Sequence, residues 1–176
     1  LFTKAGSSRK ALEENRSLFG EKTLLMTLQN GMGHEALLQE FVSPERVIIG
    51  TTQQGSYKMG ETSICHSGGG ETCFGAVIGD SSRFEFLAKA FSKCGFPSGT
   101  AADVKGMIWN KLMINASSSV LSGILQTAQG FVVEDPHAWD IARKLIKELC
   151  AVANADGYPF DEEGQINRLH DHLKKA

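Results

Sequence analysis

The chain has 176 residues, a formal net charge of −2, 41% hydrophobic residues and 22% charged residues, the composition of an ordinary globular protein. This charge excludes the strongly basic surface typical of partners of nucleic acid or of an anionic membrane. No apolar run approaches the length needed to cross a bilayer, and no secretory signal opens the sequence, so we expect a cytoplasmic protein. The chain starts at Leu1 without a methionine, and we expect it to be an internal fragment.

The first hundred residues predict an α/β arrangement. Residues 4–18 have the pattern of a helix, and residues 23–28 form a short apolar strand buried on both faces. That strand ends in a glycine-rich turn over residues 29–33. A short helix over 34–41 and a second strand over 47–52 follow. This succession favours two parallel strands joined by a helix.

Glycines punctuate residues 53–79 and separate short pieces with β character over residues 62–66 and 72–78. Such spacing predicts a hairpin or meander. The next helix runs to residue 94 and is capped by Ser81 or Ser82, with glycine just beyond its end.

The chain then becomes helical, which places a boundary near residue 101. Asp103 is a suitable cap for the next helix, and Asp135 before a proline starts a long one that ends at Gly157. The polar tail over residues 161–176 has the character of a helix that lacks its partner.

The cysteines and histidines give no metal site. Cys65, Cys73, Cys94 and Cys150 are widely spaced and form no CxxC pair. The segment from Cys65 to Cys73 fits no zinc pattern well. We predict reduced cysteines packed as small hydrophobic residues.

Lys111 lies within a mostly apolar helical stretch, where burying an ammonium group is costly. Asn115 follows one turn later, and Ser118 or Ser119 follows at the next turn, so one helix face carries a cation and small hydrogen-bonding groups. A lysine on a helix also commonly extends its charge to solvent along an apolar stem. The pattern alone leaves both interpretations open.

The turn that begins with Asn30 and Gly31 connects a predicted strand to a predicted helix. Ligands of open α/β sheets bind beyond the carboxyl ends of the strands, and glycine allows close approach of the backbone. An ordinary tight turn would use the same residues.

Taken together, these segments resemble the ketopantoate reductase (2-dehydropantoate 2-reductase) family. The resemblance rests on residues 28–33, 50–52, 64–75, 103, 108–116 and 129–130. Its most specific part is the combination of the Gln29–Gly33 turn with the tryptophan-x-lysine-leucine helix at Trp109 to Leu112.

The resemblance implies an NADPH-dependent reductase of two domains that converts 2-dehydropantoate to pantoate in pantothenate and coenzyme A biosynthesis. Residues 1–101 would be the C-terminal part of a Rossmann-type NADP-binding domain, and residues 102–176 the N-terminal part of a helical substrate and dimerisation domain. By analogy, Lys111 is the general acid, Asn115 and Ser119 are on the substrate side, and Asn30 and Gly31 are at the cofactor, with Asn30 also near the substrate. The partners would be a small 2-ketoacid and a second copy of the protein in a homodimer, without nucleic acid or membrane.

The sequence departs from the family pattern in ways that keep alternatives open. The GxGxxG fingerprint and the C-terminal segment with a catalytic glutamate are absent. Ser119 and Gln129 stand where the family often has asparagines, which alters hydrogen bonding on the substrate side. One alternative is therefore a reductase of another 2-ketoacid. The other is a catalytically incomplete fragment that serves as a folded or dimerisation module.

Overall fold

The structure, a computed structural model, describes residues 1–174. The chain divides into two compact units, Leu1–Ile108 and Trp109–Ala176. This division falls inside the helix that carries Lys111, a few residues beyond the boundary expected near residue 101. The domain identities assigned to residues 1–101 and 102–176 remain predictions.

The strands of the first unit are β1 (Leu25–Thr27), β2 (Val47–Thr52), β3 (Gly55–Lys58), β4 (Ile64–Gly68), β5 (Thr72–Ala76) and β6 (Ser98–Thr100). Four of them form a mixed sheet in the order β1-β2-β5-β6. As predicted, β1 and β2 are parallel. β5 is antiparallel to β2 and parallel to β6, a strand that the sequence pattern did not reveal.

The glycine-rich segment was predicted only in part. β3 and β4 form a separate antiparallel hairpin. β5 instead joins the main sheet, because Phe74 and Ala76 bury their side chains in its core. The predicted pairing of the two pieces is therefore wrong: β4 pairs with β3, a strand that the sequence pattern did not reveal, and β5 belongs to the main sheet.

Helices cover both faces of the main sheet. Along β2, Val47 and Ile49 pack with Leu38 and other apolar side chains from α1 (Ser8–Glu14), α2 (His34–Gln39) and the start of α4 (Val104–Ile114). Ile48 points the other way and packs with Phe74 and with residues around α3 (Glu85–Lys93). This alternation follows from the two-residue period of a strand, and it explains why β2 is apolar at successive positions.

The first unit corrects two expectations about helix ends. The helix predicted over residues 4–18 is three pieces, with 3₁₀ turns at Ala5–Ser7 and Arg16–Leu18 on either side of α1. A 3₁₀ turn, Ser81–Phe84, precedes α3, and its cap is Asp80, whose carboxylate accepts from the Ser82 amide at 2.9 Å. Ser81 is unavailable for that role because its hydroxyl accepts from the Ala76 amide at 3.0 Å. Gly95 ends the helix with a φ of 89°, as predicted.

The second unit is helical. After α4 the chain makes a π-helical turn at Asn115–Ser119 and continues as α5 (Val120–Leu125), α6 (Phe131–Glu134), α7 (Pro136–Ala155) and α8 (Glu162–Leu173). The predicted caps are confirmed. Asp103 accepts from the Gly106 amide at 3.0 Å, and Asp135 accepts from the amides of His137 and Ala138.

The expectation of a tail helix without a partner is wrong. Leu169 and Leu173 of α8 are each 1% exposed, and α8 packs against α6 and α7. Two leucines four residues apart are enough to seat a helix whose other positions are polar. Residues 175 and 176 of that predicted tail lie outside the described part of the chain.

All four cysteines are free thiols. Cys150 is buried in α7, whereas Cys94 is exposed, so the expectation of packed thiols is wrong for Cys94. Within residues 1–174, no group of three or more histidine, cysteine or acidic residues could hold a metal ion. No helix in the same range is long and apolar enough to span a membrane.

Candidate functional site

Lys111 lies in the last turn of α4 and is half-buried. Burial lowers the pKa of its ammonium group, because the charged form loses part of its hydration. The lysine therefore has the electrostatic property that the apolar sequence around it predicted. A lowered pKa eases proton transfer near neutral pH.

The helix that carries Lys111 changes from an α-helix to a π-helical turn after Ile114. Asn115 begins the π-helical turn and Ser119 ends it. Such turns carry i→i+5 hydrogen bonds, are rare, and occur frequently at functional sites. Because a π-helical turn contains more residues than an α-helical one, residues four apart lie nearly in line along the helix, so Lys111, Asn115 and Ser119 follow one another on one side.

The π-helical turn also decides between the two serines that the sequence left open. Ser118 is fully buried, and its hydroxyl donates to the Ile114 carbonyl at 2.9 Å. Ser119 is half-buried, and its hydroxyl accepts from the Gln129 amide at 2.9 Å. Ser118 is thus committed to its own helix, and Ser119 is the one that a ligand could reach.

Asn115 is half-buried, and its side chain makes no hydrogen bond to any of the described residues. An amide offers both donors and an acceptor. Directly after Lys111 on the same side of the helix, Asn115 can therefore bind a carboxylate, a hydroxyl or a carbonyl group.

The neighbours of Lys111 anchor the helix. Trp109 is 5% exposed, and its indole N–H donates to the carboxylate of Asp156 at 3.0 Å. The Asn110 side-chain carbonyl accepts from the guanidinium group of Arg168 on α8. Asp156 and Arg168 carry no sequence signal for these roles, since they lie about fifty residues further along the chain.

In the first unit, Asn30 and Gly31 lie in the turn after β1. Asn30 is exposed, and the ring of His34 forms a 3.0 Å hydrogen bond with its backbone carbonyl. Gly31 has a φ of 103°, which a residue with a side chain rarely adopts. The glycine is therefore explained by the backbone of the turn, whether or not a ligand approaches it.

Gln29, next to this turn, has a structural role that the sequence did not suggest. Its side-chain amide donates to the Ser8 hydroxyl at 2.9 Å and to the backbone carbonyl of Thr3. Its side-chain carbonyl accepts from the Thr27 hydroxyl at 2.9 Å. Gln29 thus ties the end of β1 to α1 and fixes where the turn begins.

A second strand ends at the same edge of the sheet, because β1 and β2 are parallel. Gly50 in β2 has no room for a side chain, since an added Cβ would collide with Leu28, Phe74 and the Cys73 carbonyl. The hydroxyls of Thr52 and Thr72 are 2.8 Å apart. Gly50-Thr51-Thr52 therefore serves close packing of the sheet.

Comparison with known proteins identifies the lineage. The family model described as ketopantoate reductase PanE/ApbA matches residues 1–79, and the model of its C-terminal part matches residues 103–176. The chain belongs to the ketopantoate reductase family. The 2-dehydropantoate 2-reductase of Halobacterium salinarum is 31% identical over 140 residues, which are 79% of this chain and 46% of that protein. The chain thus spans about half the length of the curated relatives it matches.

Solved structures share the fold. The 2-dehydropantoate 2-reductase from Geobacter metallireducens is 28% identical, with a TM-score of 0.82 over 95% of this chain and 58% of its own. D-mandelate dehydrogenase, solved with NADH and anilino(oxo)acetate, has a TM-score of 0.90 over 98% of this chain and 56% of its own, at 24% identity. A mixed sheet with helices, followed by a helical part, is thus the arrangement of an oxidoreductase family.

Proposed function

We propose that the protein carrying this chain reduces 2-dehydropantoate to pantoate with NADPH, a step of pantothenate and coenzyme A biosynthesis. The observation that carries the proposal is the half-buried Lys111 with its lowered pKa, one helical turn before Asn115, whose side-chain amide makes no hydrogen bond to any described residue, in a chain of the ketopantoate reductase family.

Lys111 is the proton donor in this proposal. Reduction of a ketone places negative charge on its oxygen, which an adjacent ammonium stabilises and then protonates. The Nζ–H bond breaks as the oxygen–hydrogen bond of the alcohol forms, and the lysine regains its proton from solvent. Partial burial lowers the free-energy cost of giving up that proton.

Asn115 and Ser119 orient the substrate relative to Lys111. Two polar side chains one and two turns beyond the proton donor can hold the remaining oxygens of a short 2-ketoacid. Holding the reacting groups in the correct geometry lowers the barrier of the chemical step, because the entropy cost of aligning them is already met when the substrate binds.

The cofactor side of the proposal concerns Asn30 and Gly31. When bound, NADPH supplies the hydride. The residues present fit the nicotinamide end of such a cofactor: Asn30 is exposed after the carboxyl end of β1, and Gly31 keeps the backbone there free of side-chain bulk. Asn30 would hold the ring amide, and Gly31 would allow its close approach.

A second candidate keeps the chemistry and changes the substrate to another 2-ketoacid. Ser119 and Gln129 are bonded to each other, so they present fewer free donors than two separate asparagine amides would. D-mandelate dehydrogenase, which shares the fold, was solved with anilino(oxo)acetate, a compound with an aromatic substituent.

The deciding experiment is an NADPH-oxidation assay of the intact protein with three substrates: 2-dehydropantoate, its analogue without the hydroxyl (3,3-dimethyl-2-oxobutanoate) and phenylglyoxylate. We expect the highest kcat/KM with 2-dehydropantoate. A higher value with either other acid would favour the second candidate, and no turnover of any of them would reject both.

The same assay with Asn115→Leu tests the substrate role. We expect the KM for the ketoacid to rise about tenfold, the effect of losing a hydrogen bond to a charged group. Asn167→Leu, an exposed asparagine on α8, is the matched control. Equal KM values for the two variants would remove Asn115 from the site.

Titration with NADPH tests whether the 176-residue chain binds the cofactor by itself. Micromolar affinity would reject the incomplete-fragment alternative.

The homodimer is also a proposal, supported by exposed apolar side chains in the second unit, among them Ile124 and Val152. Light scattering at several protein concentrations measures it.

A further inference from the structure

One serine in the helical stretch after Lys111 behaves differently from its neighbours. The hydroxyls of Ser117, Ser118 and Ser122 donate to backbone carbonyls three or four residues earlier in the helix. This is the common behaviour of a serine inside a helix. The hydroxyl of Ser119 instead accepts a hydrogen bond from the side-chain amide of Gln129, at 2.9 Å.

The direction of this bond determines where the Ser119 proton can go. A hydroxyl has one proton and two lone pairs, and the Gln129 N–H occupies one lone pair. The proton of Ser119 must therefore point away from Gln129. Accepting a bond also polarises the hydroxyl and makes it a better donor.

Gln129 is held firmly enough to impose that direction. α5 ends at Leu125, the next residue, Gln126, turns the chain with a φ of 54°, and the Thr127 amide then donates to the Ser122 carbonyl at 3.0 Å. The Gln129 carbonyl accepts from the Val132 amide at 3.1 Å, at the start of α6. The segment is thus bonded on both sides of Gln129.

We propose that Gln129 is a positioning residue that directs the Ser119 hydroxyl, as a hydrogen-bond donor, at an acceptor oxygen of the bound 2-ketoacid. This rests on the proposed function, since Ser119 lies two turns beyond Lys111 on the same side of the helix. An asparagine at position 119 could turn either a donor or an acceptor toward the substrate. The Ser119–Gln129 pair offers a donor, so it selects substrates with an acceptor at that point.

A double-mutant cycle in the intact protein tests the proposal. The variants are Ser119→Ala, Gln129→Met and the two combined, assayed with the best 2-ketoacid of the panel. We expect Ser119→Ala to raise KM about tenfold and Gln129→Met to raise it three- to tenfold, with kcat changed less than about twofold. In the Ser119→Ala background, Gln129→Met should add less than about twofold, because Gln129 acts through the hydroxyl.

Controls separate positioning from folding. Ser119→Thr keeps a hydroxyl and should restore most of the affinity. Ser122→Ala and Gln126→Met remove the same groups nearby and should leave KM unchanged. KM increases that multiply in the double variant would show that the two residues act independently and would overturn the proposal. A Gln129→Met variant with a lower kcat, a higher KM and a lower Tm would also overturn it, because Gln129 would then serve folding.

A measurement without turnover keeps this test distinct from that of the proposed function. In ¹⁵N-labelled protein, Ser119→Ala should shift the side-chain amide signals of Gln129 and leave those of Gln165 in place. Unmoved Gln129 signals would reject the hydrogen bond on which the proposal depends. If the signals shift but no 2-ketoacid is reduced, the pairing stands while the proposed function, and with it the substrate role of the pair, is rejected.

Discussion

The turn after β1 and the helical stretch from Trp109 to Ser119 contain the two most specific sequence motifs. The side chains of these two motifs differ in how far they are engaged in holding the fold together. In the turn, Gln29 is engaged by Ser8 and Thr27, and Gly31 is required by its positive φ. In the helix, the structural task falls to Trp109, while Asn115 keeps its side chain unengaged among the described residues. A motif residue can therefore shape the backbone or perform chemistry, and stability and turnover measurements tell these roles apart.

The largest expected effect is on turnover in the helix. Lys111→Met keeps the length of the side chain and removes the proton donor, so kcat should fall about 10²- to 10⁴-fold. Stopped-flow or steady-state NADPH oxidation measures it. The control is Lys144→Met, since Lys144 is an exposed lysine paired with Asp140 on α7. Near-normal turnover of Lys111→Met would mean that Lys111 is not the proton donor and that the motif in the helix, like that in the turn, has only a structural role.

The next effect is on stability in the turn. Gln29→Ala removes partners from the buried hydroxyls of Ser8 and Thr27, so the free energy of unfolding should fall by about 1–3 kcal/mol. Urea denaturation of the purified chain gives the value. Gln53→Ala, on an exposed glutamine, is the control. A loss below about 0.5 kcal/mol would show that Gln29 is not the tie between β1 and α1.

Gly31→Ala tests the backbone of the same turn. With a φ of 103°, a side chain should cost about 1–2 kcal/mol of strain. Gly6→Ala is the matched control, because Gly6 has ordinary φ and open space around its Cα. We expect thermal melting to show a lower Tm for the first variant alone. Equal Tm values would contradict a conformational reason for the glycine.

The smallest effect concerns the anchor of the helix. Trp109→Phe removes the N–H bonded to Asp156 and keeps most of the buried ring, so unfolding should become about 1 kcal/mol easier. In an Asp156→Ala background the same change should cost less, because the partner is already gone. Equal costs in both backgrounds, measured by denaturant unfolding, would assign Trp109 to packing alone.

Sequence reasoning found those parts of the fold that rest on local signals. The apolar run of β2, the Asp103 and Asp135 caps and the glycine at position 95 are each determined within a few residues. It missed β6, whose Ser98–Thr100 sequence has no apolar signal and is held by pairing with β5. It also misjudged α8, because two leucines seat that helix on distant elements.

The same division holds for the candidate site. The four-residue spacing of Lys111, Asn115 and Ser119 is local, and the resemblance to the family assigned their roles. The π-helical turn, the Trp109–Asp156 bond and the Ser119–Gln129 bond arise from tertiary packing, which no short sequence window contains. Ser118 and Ser119 could be told apart only in the fold, from the burial of their side chains and the partners of their hydroxyls.

The proton-donor role of Lys111 is tested most directly by the pH dependence of kcat/KM. A general acid must be protonated, so activity should fall as pH rises through the pKa of Lys111, and burial moves that fall below the range of an ordinary lysine. Stability should change in the opposite direction, since between the folded and unfolded pKa values the unfolded state binds more protons and the free energy of unfolding rises with pH. We predict that Lys111→Met abolishes both the alkaline fall in kcat/KM and this dependence of stability on pH. An unchanged alkaline fall in the residual activity of that variant would contradict it.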